Sequence, residues 1–159
     1  MNQRFINKSN SFFLRLILSG FLLFWTLGFL SPCISFNTVR SIYPLSRIFY
    51  STVCHQNELK SFNCDGVPIL VCARCTGIYF GAFLSSLIIL GTKKIGQLNF
   101  NHLLIFSLPM LLDVIFLTSG LYTYNKTIAL STGFLFGSTI FLYILKSVED
   151  FLFYKNNSI

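Results

Sequence analysis

Two short clusters hold the residues best suited to chemistry: Cys54-His55, and Cys72-Ala73-Arg74-Cys75, with 16 residues between His55 and Cys72. Thiolate sulfur and imidazole nitrogen offered from two short segments across a loop are what tetrahedral zinc requires. Cys54, His55, Cys72 and Cys75 are therefore the candidate metal ligands. The same Cys-x-x-Cys also suits thiol–disulfide chemistry, because a helix N-terminus and the neighbouring Arg74 would both stabilise a thiolate at Cys72 or Cys75. A third use is structural, since cysteines in an exterior loop pair as disulfides. Cys33 and Cys64 suit that role best, or that of inert thiols. The adjacent His55 favours the metal reading, and zinc is the expected ion.

One further residue needs a reason. Asp113 lies within an otherwise apolar run, Leu103 to Gly120, where an ionisable side chain costs several kcal/mol unless it is paired, protonated or facing water. Arg74 is its natural cationic partner. A structural bridge and an ion- or proton-handling carboxylate are both open, the latter making the chain a small transporter or channel component. Pro109, one turn earlier, would kink the helix and free a backbone carbonyl. His102, alone at the edge of the same run, reads as an interfacial polar residue.

The elements that carry these residues belong in lipid. Of 159 residues 53% are hydrophobic, 19 are Phe and only 11% are charged, well below the quarter or so charged content of a soluble domain. The net charge of +7 comes from twelve Lys and Arg scattered along the chain, without the dense basic stripe of a nucleic-acid binder. Four charge-poor runs approach the ~20 residues a helix needs to cross a bilayer. They place spans at about 14–33, 75–92, 103–120 and 127–145, in a single membrane domain of residues 1–159. The fold expected is an all-α four-helix transmembrane bundle with a long first loop, residues 34–74. A cleaved signal peptide is the competing reading of the first span, with Leu30-Ser31-Pro32-Cys33 faintly echoing a lipoprotein site, but Pro32 before the cysteine opposes cleavage.

Basic residues set the expected orientation. Arg4, Lys8, Arg15, Lys93, Lys94, Lys146 and Lys155 fall on the side of the termini, against Arg40, Arg47, Lys60, Arg74 and Lys126 on the other. Seven against five favours both termini in the cytoplasm, with the protein in the cytoplasmic membrane. Gly77/Gly81 and Gly133/Gly137 form two Gly-xxx-Gly pairs that permit close helix approach, between spans two and four or between copies of the chain. The bilayer is the one partner the sequence requires.

The long loop divides in two. Over Ser41 to Val53, Ile42, Leu45, Ile48 and Phe49 recur at helical spacing with Arg47 among them, the pattern of an amphipathic helix lying on the membrane surface. Asn63-Cys64-Asp65-Gly66 is then a tight turn, after which Pro68 to Val71 leads into the second span.

The combination of Cys54-His55-Gln56, Lys60-Ser61-Phe62, Val71-Cys72-Ala73-Arg74-Cys75-Thr76-Gly77-Ile78-Tyr79-Phe80-Gly81, Pro109-Met110-Leu111-Leu112-Asp113 and Thr132-Gly133 resembles the bacterial and archaeal multipass membrane family called domain of unknown function 2085. The resemblance runs from about Cys54 to Gly137. It implies that Cys54, His55, Cys72, Arg74, Cys75, Thr76, Gly77 and Asp113 belong to the family signature, with Arg74, Thr76 and Asp113 supporting the Cys/His set. Cys33 and Cys64 fall outside that signature, and Lys60 stands where the family more often has Arg, which keeps charge but loses bidentate geometry. The family name carries no activity, so an enzymatic role is left open. No Ser-His-Asp set, phosphate loop or carboxylate pair points to a hydrolase or kinase.

Overall fold

The computed structural model describes residues 3–33, 37–64, 66–92 and 100–154. Five helices and one hairpin follow in chain order: α1 Gln3–Phe29, α2 Asn37–Ser51, β1 Ser61–Cys64, β2 Val67–Cys72, α3 Ala73–Gly91, α4 Phe100–Thr118 and α5 Lys126–Tyr154. Single 3-10 turns at Ser31–Cys33 and Glu58–Lys60 link the pieces of the long loop. Four of the helices are long and apolar enough to cross a membrane: α1 from Ser11 to Phe29, α3, α4, and α5 from Lys126 to Leu152. The expected all-α, four-span membrane architecture is the one observed. The connection holding Lys93 and Lys94 lies outside the described residues, as does Lys155.

α3 and α5 form the centre of the bundle, because four glycines remove the side chains that would hold them apart. A Cβ on Gly77 or Gly81 would strike the backbone carbonyl of Leu130 or Phe134 on α5. A Cβ on Gly133 or Gly137 would strike that of Arg74 or Ile78 on α3. Both Gly-xxx-Gly pairs are thus used on each other within one chain. Of the two expected uses, contact between spans two and four is the one seen within the chain.

α1 packs on α3 and is locked at the end away from the loop by an ion pair. Arg15 donates from Nε to Glu149 Oε1 at 2.6 Å and from Nη2 to Oε2 at 2.9 Å, while Nη1 donates to the carbonyls of Ile89 and Thr92 at the end of α3. Arg15 therefore satisfies helix-terminal carbonyls that have no partner within α3. It does more than mark the side of the membrane. α4 is more peripheral: it packs on α5, and Asp113 is its buried residue among those described.

The hairpin is the departure from the expected loop. β1 and β2 pair antiparallel in the register Ser61↔Cys72, Asn63↔Pro68 and Cys64↔Val67, with an irregularity between Ser61 and Asn63. Gly66 has φ 81°, where an L side chain is strained, and this matches the tight turn expected at Asn63 to Gly66. The apolar run Ile69-Leu70-Val71 pairs as a strand because it is buried beneath α2. A disulfide joins Cys33, just beyond α1, to Cys64 at the hairpin tip. The loop is thereby tied to the top of the first span.

Candidate functional site

The hairpin and α2 meet over the start of α3. Phe29 of α1, Tyr50 of α2, Cys54, Leu70 and Val71 form one buried cluster, edged by Trp25, Cys72, Cys75 and Tyr79. Its aromatic members interlock, with Trp25 and Tyr50 ring centroids 5.1 Å apart and Phe29 and Tyr79 5.8 Å apart. The Tyr50 hydroxyl donates to the Trp25 carbonyl at 2.9 Å, filling the space left by Gly28. This apolar wall fixes the chain on both sides of the cysteines.

Three thiols converge there. Cys54 follows α2, its N–H closing on the Tyr50 carbonyl at 3.1 Å; Cys72 is the N-cap of α3; Cys75 sits in the first turn. The sulfurs of all three lie within 4.8 Å of one another. Cys54 is 8% exposed and the other two are half-buried. The Cys72 N–H donates to Cys54 Sγ at 3.2 Å, and the Thr76 hydroxyl donates to the Cys72 carbonyl at 3.1 Å. Hydrogen bonds from the Cys72 and Cys75 thiols hold the Cys54 thiol well below its ordinary range, with the Cys72 and Gln56 backbone N–H groups adding to the effect against burial. The Cys72 thiol is pushed up, chiefly because it donates a hydrogen bond to Cys54 and so holds its proton. These hydrogen bonds favour the charged form at Cys54 over that at Cys72.

His55 does not join the three. It is exposed, in a coil between the cluster and the turn at Glu58. The next residue, Gln56, has φ 47° and donates its Nε2 to the Arg47 carbonyl at 2.8 Å. Of the adjacent pair, only the Cys54 thiol is in the group.

Arg74 and Asp113 do meet. Arg74 Nη2 donates to Asp113 Oδ2, and the Tyr122 hydroxyl donates to Asp113 Oδ1. Asp113 is 5% exposed and faces a groove of about 540 Å³ between α4 and α5, walled by Pro109, Leu112, Phe116 and Thr132. Since Arg74 is committed to this carboxylate, it is not the cation that activates Cys72 or Cys75. Among the described residues the ion pairs between basic side chains and carboxylates are Arg15–Glu149, Arg47–Glu58 and Arg74–Asp113. His102 is exposed in the first turn of α4.

Several neighbours of the site are not apparent from motif spacing. Tyr122 and Tyr124 stand in the connection between α4 and α5, where tyrosine reads simply as an interfacial residue. Lys126 Nζ donates at 2.5 Å to the carbonyl of Ser61, the residue that pairs with Cys72 across the hairpin. Lys60 Nζ lies 5.3 Å from the Tyr124 ring centroid. These contacts dock the last connection onto β1, beside the thiols. Burial, followed by the negative charge of Cys72, pushes the Tyr124 phenol up to about 12.

The family model described as predicted membrane protein (DUF2085) matches residues 54–143, a segment beginning at the first thiol of the cluster. A curated protein of Methanocaldococcus jannaschii, printed as "Uncharacterized protein MJ1492", is 31% identical over 148 residues, covering 88% of this chain and 95% of the relative. No solved structure gives a significant match. The chain belongs to the family of predicted membrane proteins DUF2085.

Proposed function

We propose that Cys54, Cys72 and Cys75 form a membrane-surface site for a thiophilic divalent metal, zinc first among them. The observation that carries this reading is the convergence of three sulfurs from two chain segments to within 4.8 Å. Zinc–sulfur bonds of about 2.3 Å in a tetrahedron set sulfurs roughly 3.8 Å apart, so small side-chain rotations suffice. The donors fit chemically as well: hydrogen bonds from its neighbours favour the thiolate form of Cys54, and thiolate sulfur is a preferred ligand of zinc. His55, one residue from Cys54 and exposed, is the side chain positioned to complete the coordination by a turn of its short coil segment. Bound metal would pin α2 and the hairpin to α3.

The Cys33–Cys64 disulfide supports a loop on the oxidising side of the cytoplasmic membrane, with both termini in the cytoplasm, in agreement with the distribution of basic residues. The hydrogen bonds that lower the Cys54 thiol favour one further reading, thiol–disulfide exchange with a Cys72–Cys75 pair. The Asp113 carboxylate, already matched by Arg74 and Tyr122, supports a structural pair over an ion-handling site.

Elemental analysis and thiol titration of the purified protein separate the two thiol readings. One zinc per chain is expected, lost in Cys54→Ser, Cys72→Ser and Cys75→Ser and held more weakly in His55→Ala. Metal-free protein with a Cys72–Cys75 disulfide would overturn the metal reading in favour of exchange.

A further inference from the structure

The side of α2 turned away from the thiols is apolar and uncovered. Leu45 is 69% exposed, Ile48 68% and Phe49 58%, with Val53 following on the same side. At about 100° per residue Leu45, Ile48 and Phe49 occupy an arc of about 100°, and Val53 follows just past the end of the helix. Tyr43 and Tyr50 fall on a second face, held by the Pro68 carbonyl at 3.4 Å and the Trp25 carbonyl at 2.9 Å. Arg47 borders that second face, about 40° from Tyr43, and donates to Glu58 at 3.1 Å in an exposed pair. The apolar face is thus roughly opposite the side by which the helix is held to the protein.

Continuity with the first span identifies what covers that face. The Phe49 ring lies 5.7 Å from Trp25, in the membrane-crossing part of α1. The flank of α1 continues with Phe21 and Phe24, which are equally uncovered. The apolar arc of α2 is thus the upper edge of a surface that already faces acyl chains. We infer that the Leu45–Ile48–Phe49 face of α2 is seated in the lipid leaflet on the long-loop side, lying in its plane at the headgroup boundary. Burial of such a face about 5–10 Å into that boundary is how interfacial helices hold to a membrane. The inference is independent of the metal, and because Cys54 directly follows α2, the leaflet also sets the height from which that thiol approaches α3.

Trp25 is the only tryptophan, so an added indole reports its own depth. Full-length Ile48→Trp and Arg47→Trp, each in a Trp25→Phe background, are reconstituted in phosphatidylcholine vesicles with ordinary or dibrominated acyl chains. Ile48→Trp should be quenched about twofold or more by the brominated chains and little by aqueous acrylamide, with Arg47→Trp showing the reverse. Quenching of Ile48→Trp by acrylamide alone would place the face in water and overturn the inference. Protection from both quenchers that is lost on dilution of protein in lipid would assign the face to a second copy, and would overturn it equally. If Trp25→Phe fails to fold, the difference between the same two variants with Trp25 retained gives the same reading.

Discussion

Asp113 illustrates how a single side chain constrains its surroundings. A buried carboxylate among acyl chains must be matched, and Arg74 and Tyr122 match it. Removing one partner of such a pair typically costs about 3–5 kcal/mol, because the other charge is left stranded. Asp113→Leu and Arg74→Met alone should therefore lower the detergent-solubilised unfolding midpoint sharply, and the double variant should recover much of the loss. Tyr122→Phe should cost only about 1 kcal/mol. The Asp113–Arg74 pair was legible in the sequence because a lone acid within a span demands a cation. Tyr122 was not, since nothing in its spacing sets it apart from an interfacial tyrosine. His55 stands differently: its type and adjacency suggested a ligand, and the side chain is exposed outside the three-sulfur group. Tyr124 makes a pH-dependent prediction. Its folded pKa of about 12 lies above the ordinary 10.0, so its contribution is complete below pH 10 and is lost as pH rises toward 12. Tyr124→Phe should show a shallower fall in thermal midpoint over that interval.

At the scale of elements, the closest fit is between α3 and α5. Side chains cannot be added there without moving a backbone, so Gly77→Leu and Gly137→Leu should each destabilise by about 1–3 kcal/mol or more, read as loss of thermal midpoint. Gly20→Leu, at a position where an added Cβ meets nothing within 4 Å, is the matched control. The spans were legible because charge-free length is a strong and local signal, and their ends fell within a few residues of the helices, apart from the extensions of α1 back to Gln3 and of α5 to Tyr154. The hairpin was less legible. Asp65-Gly66 before a β-branched run is a recognised hairpin signal, yet a six-residue apolar strand leading into a membrane helix is hard to separate from the helix itself by hydrophobicity. Only burial under α2 makes it a strand.

Over the whole molecule, a disulfide, a hairpin and a surface helix converge on one end of a four-helix bundle. The Cys33–Cys64 bond closes a loop with a sequence separation of 31, which on the chain-entropy account contributes about 3–4 kcal/mol. Cys33→Ser/Cys64→Ser should lose a comparable amount, and non-reducing mass analysis of the wild-type chain after alkylation should find three reactive thiols once metal is removed. A membrane-impermeant thiol reagent applied to intact cells after chelation of metal should reach the half-buried Cys72 and Cys75 from outside. The glycine contact between α3 and α5 also bears on how the protein is made. Synthesis delivers the second span before the last, with α4 between them, so α3 enters lipid with its notch unfilled and must wait for α5. The chain therefore cannot mature span by span. A nascent chain halted before Lys126 would hold the thiol-bearing end of α3 without the helix that supports it, and should be cleared by membrane proteases far faster than the complete protein.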